Sequence, residues 1–325
     1  MDLRELRFGI ELEMTGITRR RAAQVIADHF HTEPDGEYAR DTSGRVWKAT
    51  YDGSIDCQKR AGGRLIRADG EYSTEVVSPI LVYDDIPVLQ DIIRELRRAG
   101  AFSNSSCGIH IHVDASSHTA QTLRNLTNIV AAKEDLIYKA LKVDPGREAQ
   151  YCRKTDPGFL ERINDFHPTT LTEVERLWYN GSSRRSRHYD SSRYHCVNLH
   201  SVFSKGTVEF RLFNSDIRHA GKIKAYIQFC LAINAQAINQ RSARPTKTQT
   251  TNDKYTFRCW LLRLGLIGDE FKTARKHLLD NLDGCIAWRD PAQAVRQRER
   301  QMLARQQETE IVTQDPVPAL GRQTM

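Results

Sequence analysis

Polar and apolar residues alternate with a period of two along several short stretches of the chain, the pattern of a strand with two unlike faces. In GIELEM, Glu11 and Glu13 share one side, and Ile10, Leu12 and Met14 the other. In CGIHIHVD, His110, His112 and Asp114 alternate with Ile109, Ile111 and Val113. In TVEFRLF, Thr207, Glu209 and Arg211 oppose Val208, Phe210 and Leu212. The spacing predicts strands over residues 6–14, 46–55, 71–78, 107–114, 195–201 and 207–213. The Gly- and Arg-rich segment 57–69 joins two of them as a loop or partial hairpin.

Helical periodicity marks residues 19–31, with Thr18 as N-cap, and residues 86–99, ended by Gly100. Further helices are expected over 119–141, 217–240, 256–264 and 269–279, and short helices and loops over 151–178. Residues 179–194 are polar, basic and Ser-rich and read as a mobile loop. Strands and helices are interspersed without strict βαβ order, which indicates an α+β fold on a mostly antiparallel sheet. The expected organisation is a catalytic domain over 1–240, a helical extension packed on it over 241–289, and a flexible polar tail over 290–325 that begins as a frayed helix.

Composition narrows the classes. Hydrophobic residues make up 39% and charged residues 27% of the 325 positions, in the range of a soluble globular protein. No apolar run reaches the roughly 18 residues that span a bilayer, and the N-terminus carries acids where a signal peptide has its apolar core. The seven cysteines are scattered and form no CxxC pair, which points to a reducing, cytoplasmic setting without a disulfide framework. The net charge of +7 suits either nucleic acid or an anionic substrate such as a nucleotide.

The polar strand faces carry the chemistry. The solvent side of an antiparallel sheet is normally polar, so one ExE pair alone is unremarkable. Here Glu11, Glu13, His110, His112 and Glu209 recur on successive strands, with Asp52 in YDGS and Glu75 in STEVVSP. Like charges on one face repel and call for a cation. An oxygen-rich donor set favours Mg²⁺ or Mn²⁺ over zinc. Other candidates have plainer readings. Cys107 reads as a small buried thiol, since no third group orients a Cys–His pair. Asp114 reads as a turn or cap residue, and Trp47, Trp178, Trp260 and Trp288 as core. His195 and His200 have opposite parity on one expected strand and cannot both face the site.

Taken in order, FGIELE, YDGSI, EVVSP, CGIHIHVD and TVEFRLF resemble the amidoligase family, in the carboxylate–amine ligase superfamily of glutamine synthetase and glutamate–cysteine ligase. The resemblance covers about residues 7–240. It implies a curved sheet of the glutamine synthetase type, with helices on the convex side and ATP and two or more Mg²⁺ or Mn²⁺ ions on the concave side. Carried over, Glu13, Asp52 and Glu75 hold one ion, and Glu11, His110 and Glu209 the other. His112 faces the nucleotide and Arg211 the γ-phosphate. The segment RYHCVNLHS implicates Arg193 and Asn198 in substrate or nucleotide contacts. The implied reaction is ATP-dependent amide formation between a carboxylate substrate and an amine substrate, which could be an amino acid, a peptide or a protein, through an acyl-phosphate. The loop with Arg184, Arg185, Arg187 and Arg193 is either a solvated segment or a lid. Two other classes remain at this stage. A metal-dependent hydrolase could use the same face. A basic nucleic-acid-binding protein would explain the charge, yet leaves the inward carboxylates without a role.

Overall fold

The alternation is realised as strand pairing around a central ExE strand. The computed structural model describes residues 1–314. In chain order the strands are β1 (Phe8–Met14), β2 (Tyr38–Arg40), β3 (Val46–Thr50), β4 (Gln58–Ala61), β5 (Arg64–Arg67), β6 (Thr74–Val77), β7 (Gly108–Asp114), β8 (Val197–Asn198) and β9 (Thr207–Asn214). The helices are α1 (Arg19–Phe30), α2 (Ile86–Arg98), α3 (Ala120–Leu141), α4 (Pro145–Gln150), α5 (Pro157–Phe166), α6 (Leu171–Tyr179), α7 (His200–Lys205), α8 (Ala220–Asn239), α9 (Asp253–Arg263), α10 (Lys272–Leu279) and α11 (Pro291–Gln314).

Seven strands form one sheet in the order β2-β3-β6-β1-β7-β9-β8, every neighbour antiparallel. Its apolar face carries Ile10, Leu12, Val76, Ile109, Ile111, Val113 and Phe210, all buried. Helices α8, α3, α2 and α1 supply the other side of this core. Helix α8 is apolar almost all round because α9 and α10 cover its outer side, with Phe257 and Trp260 against Phe229. The two-stranded β4–β5 hairpin turns on Gly62 and Gly63, both at positive φ (55° and 77°), as a two-residue hairpin turn requires. Among the described residues no helix is long and apolar enough to cross a membrane, and all seven cysteines are free thiols.

Several expected elements differ in extent. Residues 51–55 leave the strand for a turn in which Asp52 Oδ1 accepts from Ser54 N at 2.7 Å and Ser54 Oγ at 2.6 Å. The expected strand over 195–201 keeps only β8, because Asn198 Oδ1 accepts from His200 N at 2.9 Å and starts α7 there. His200 is therefore helical, bonded through Nδ1 to the Tyr179 hydroxyl at 2.6 Å, and the parity argument about His195 and His200 does not apply. Trp47, Trp178 and Trp260 are core residues, whereas Trp288 is exposed and its expected core role is corrected. Helix α11 occupies the start of the tail; the part of the expected flexible tail over 315–325 lies outside the described residues.

One irregularity positions the site. The β7–β9 register pairs Ile109 with Phe213 but Ile111 with Phe210, so Arg211 and Leu212 together stand opposite His110. This bulge changes the parity of β9. Strict alternation would put Phe213 on the side of Arg211; instead it is buried against α8, stacked on Tyr226 with ring centroids 4.4 Å apart. Phe213→Ala is therefore expected to cost about 3–5 kcal/mol, the range for a buried aromatic. Urea unfolding monitored by circular dichroism checks it; a loss near zero would place Phe213 on the polar face.

Candidate metal and anion centre

The sheet register assembles the polar residues into adjoining rows. β1 lies between β6 and β7, so Glu13 faces Glu75 and Glu11 faces His110. Across the next ladders Thr50 faces Glu75 and His112 faces Glu209. An ordinary solvated face is excluded by burial: Glu13 is 3% exposed and Glu209 1%. His110, His112 and Arg211 are buried too. Helices α4 and α7 and the 180–194 loop border this side.

The contacts within the rows are short. His110 Nδ1 lies 2.9 Å from Glu11 Oε2, and His110 Nε2 lies 3.6 Å from Glu13 Oε1. Glu209 is paired with the Arg211 guanidinium, and Asn198 Nδ2 donates to Glu209 Oε2 at 2.6 Å. The Gly108 backbone N–H donates to Glu13 Oε2 at 2.5 Å. Burial pushes the Glu209 carboxyl up, but Arg211, helped by His112, overrides it and holds the group at about 2. At Glu11 burial likewise opposes ionisation, and His112 and His110 pull the carboxyl well below its ordinary range. Glu75 goes the other way. Burial, reinforced by the charges of Glu11, Glu13 and Asp52, pushes it up to about 8, although Thr50 Oγ1 donates to it at 2.9 Å. The cluster is thus balanced at its Glu209 end and short of positive charge at its Glu75 end.

The donor set fits divalent cations. Ligand atoms of Glu13, Asp52 and Glu75 lie within 4.8 Å of one another, the grouping expected for one ion. Glu11 and Glu209 come within the same distance of each other and of His112, while His110 groups with Glu11 and Glu75. His110 Nδ1 and His112 Nε2 each lie 3.9 Å from Glu209 Oε1, so both histidines adjoin the Glu11–Glu209 pair. His112 Nδ1 is held by Thr207 Oγ1 at 2.9 Å, which fixes the ring. Its Nε2 lies 3.1 Å from Glu11 Oε1 and 3.9 Å from Glu209 Oε1, without an aligned hydrogen bond to either. A carboxylate oxygen this close to an imidazole nitrogen, without an aligned hydrogen bond, forms a pair that a shared cation could bridge. Carboxylates in the majority match Mg²⁺ or Mn²⁺.

Two residues absent from the sequence reading join the centre. Arg147, on α4, is buried and its Nη1 lies 3.9 Å from Glu13 Oε2. Its guanidinium rests on Gly108: a Cβ there would sit 2.1 Å from Arg147 Nη2. Asp144-Pro145 marked a helix start, capped in the structure by Asp144 Oδ1, but nothing in the pattern told which α4 residue turns inward. Lys205, at the end of α7, brings its Nζ within 3.5 Å of Glu11 Oε1. Arg193 stands between two cavities. One, of about 390 Å³, is lined by Glu13, Asp52, His110, Arg147 and Arg211 among others. The second, of about 170 Å³, is lined by Arg185, Asn198, Lys205 and Glu209 among others. Asp114 lies apart, paired with Arg7 at 2.5 Å and accepting from Ser116 N at 2.9 Å, a turn residue as expected. Cys107 is a buried thiol that burial pushes up to about 11.

Fold and centre together define an α+β protein whose antiparallel sheet carries a buried carboxylate–histidine–arginine cluster beside two arginine-lined cavities. Residues 4–234 match the family model described as "Putative amidoligase enzyme", and the chain belongs to that family. Among solved structures it is similar to a bifunctional glutathione synthetase from Pasteurella multocida, at 12% identity and a TM-score of 0.41. That match covers 85% of this chain and 47% of the other, so the chain spans about half the length of that protein. Comparison with curated proteins gives no match.

The close approach of Arg147 to Gly108 has a measurable consequence. Gly108→Ala forces the guanidinium or the strand aside and is expected to destabilise the protein by about 1–3 kcal/mol. Urea titration tests this, and an unchanged midpoint would mean that the Arg147 fork is free to move away.

Proposed function

We propose that this protein is an ATP-dependent ligase that joins a carboxylate to an amine through an acyl-phosphate. The observation that carries the reading is the burial of Glu13, His110, His112, Glu209 and Arg211 on one sheet face, with Glu11 and Glu75 half-buried beside them, in a member of an amidoligase family. The proposal includes a curved sheet of the glutamine synthetase type with this face on the inside.

Glu13, Asp52 and Glu75 would hold one Mg²⁺ or Mn²⁺, and Glu11, Glu209 and His112 a second, with His110 beside Glu11 and Glu75. Bound there, the ions would supply Lewis-acid polarisation of phosphate oxygens and a template for the two reactants. Arg185, Arg193 and Lys205 give the smaller cavity the positive charge that nucleotide phosphates need. Arg211 lines the larger cavity, where its planar fork meets the phosphoryl group in transit. Asn198 and the Tyr151 carbonyl fix the Glu209–Arg211 pair, so this charge is oriented before substrate arrives. A carboxylate oxygen attacks the γ-phosphorus and ADP leaves. The amine nitrogen then attacks the acyl carbon, phosphate leaves, and the nitrogen loses a proton. The 180–194 loop, with Tyr189 and Arg193 over the larger cavity, keeps water from the acyl-phosphate.

The test is a carboxylate–amine screen scored by phosphate release with Mg²⁺ and ATP. Arg211→Ala and Glu209→Gln are each expected to lower turnover at least about 100-fold while circular dichroism stays that of the wild type. Removing divalent ions with a chelator should abolish turnover in all forms. Wild-type rates in either variant would sink the assignment. Hydrolysis that proceeds without ATP would point to a metal-dependent hydrolase instead.

A further inference from the structure

A third cavity lies outside the carboxylate cluster. Its volume is about 550 Å³, more than either cavity described above, and no residue of the candidate cation groups lines it. Arg60 enters it from β4, Lys142 from the end of α3, Arg218 from the turn before α8, and Lys222 from α8 itself. The acids on the same walls are Asp144 and Asp216, so four cations face two carboxylates, an excess of two positive charges.

Both carboxylates are already engaged. Asp144 Oδ1 accepts from Gly146 N at 2.9 Å and Arg147 N at 3.1 Å as the N-cap of α4. Asp216 is shared between Arg218 Nε at 2.9 Å and Lys222 Nζ at 3.3 Å. Among the described residues Arg60 and Lys142 form no ion pair; the Arg60 guanidinium lies over the Phe102 ring, 5.4 Å from its centroid. A second shortage lies in the buried wall. Tyr226 is 2% exposed and its ring is stacked on Phe213, yet its hydroxyl has no hydrogen-bond partner among the described residues. A buried hydroxyl left unmet is costly, and Tyr226 lines this cavity, where a ligand can meet it. Ser103 and Ser215, with hydroxyls 2.9 Å apart, add polar groups to the same wall.

We propose that this cavity is a second ligand site, apart from the reacting groups, and that it takes a phosphomonoester. A phosphomonoester carries close to two negative charges at neutral pH on the three oxygens of one group, which matches the excess on the walls; a single carboxylate meets half of it. Its oxygens point in several directions, and lysine binds them as a point charge from any side, which suits cations that converge from separate elements. The volume lies in the range of small-molecule sites and exceeds what a phosphate fills, so it leaves room for the organic part of the ester. The Tyr226 hydroxyl and the serines offer that part hydrogen bonds, as a sugar requires. The inference does not depend on the ligase reading.

Isothermal titration of the full chain with ribose 5-phosphate and with adenosine 5′-monophosphate tests this, against inorganic phosphate, ribose and succinate. The wild type should bind at least one of the two esters about 10-fold or more tightly than each of the three controls. The double variant Arg60→Gln, Lys142→Gln, with both positions exposed, should weaken that binding at least about 10-fold. Tyr226→Phe keeps the ring on Phe213 and should weaken it about 3- to 10-fold, the range for one hydrogen bond. Lys205→Ala, in the cavity suited to nucleotide phosphates, should leave it unchanged. A preference for the nucleotide and a preference for the sugar phosphate each support the site and tell which body it accepts. Inorganic phosphate or succinate bound as tightly as both esters, ester binding that survives the double variant or Tyr226→Phe, or binding lost in Lys205→Ala would overturn the proposal. The wild-type comparison decides even where a variant fails to fold.

Discussion

The constraint on which the rest of the structure depends is the concentration of carboxylates on one buried sheet face. Taking an ionised carboxylate out of water costs several kcal/mol unless partners replace its solvent. Here Glu11, Glu13, Glu75 and Glu209 lie on adjoining strands, and Asp52 enters from the turn after β3. Much of what covers the face answers that cost. Arg211 projects from β9 because the bulge releases it from the parity of Phe213. Asn198 on β8 donates to Glu209 and, through its other side-chain atom, starts α7, which delivers Lys205 to Glu11. Helix α4 carries Arg147 toward Glu13, and β7 gives up a side chain at position 108 to admit it.

The compensation is uneven, and the unevenness has direction. At Glu209 the Arg211 guanidinium, helped by His112, outweighs burial, so the carboxylate stays ionised through the whole physiological range. At Glu75 the offered partner is one hydroxyl, and the carboxyl keeps its proton near neutrality. A face built only for stability would not leave one acid to be neutralised by a proton beside three other acids. Exchange of that proton for a divalent ion relieves the repulsion and leaves the donors in place. The same asymmetry distinguishes this sheet from a buried ion-pair network, in which each acid finds its arginine.

The strand faces were legible in the sequence because period two is a local property. Glu11 and Glu13 must share a side of β1 whatever surrounds them, and five such stretches in order limited the fold to an α+β sheet and the chemistry to oxygen-ligated cations. What failed was set by contacts that period-two alternation does not register. The bulge in β9 follows from Phe213 finding Tyr226 on α8, which no alternation foretells. The strand expected over 195–201 broke at Asn198, whose side chain satisfies a backbone N–H as readily as a ladder would. That both histidines come within 3.9 Å of Glu209 depended on the stagger between β1, β7 and β9 rather than on the HxH spacing. Arg147 sits in a six-residue helix too short to show a face, and Trp288 lies among residues whose packing partners are few.

This division has a chemical meaning. Apart from Asp52, the residues of the candidate cation groups stand on strands, held by ladders on both sides, and strands announce themselves in sequence. Arg147 and Arg193 reach the cavities from α4 and the 180–194 segment, elements without periodic pattern. Such elements vary without disturbing a sheet, so a family can keep one chemistry and change the molecules it acts on. Arg193 sits at the meeting point, stacked between Tyr189 and Tyr194 with a wall in each cavity. Arg193 thus borders both spaces from an element that no strand ladder holds.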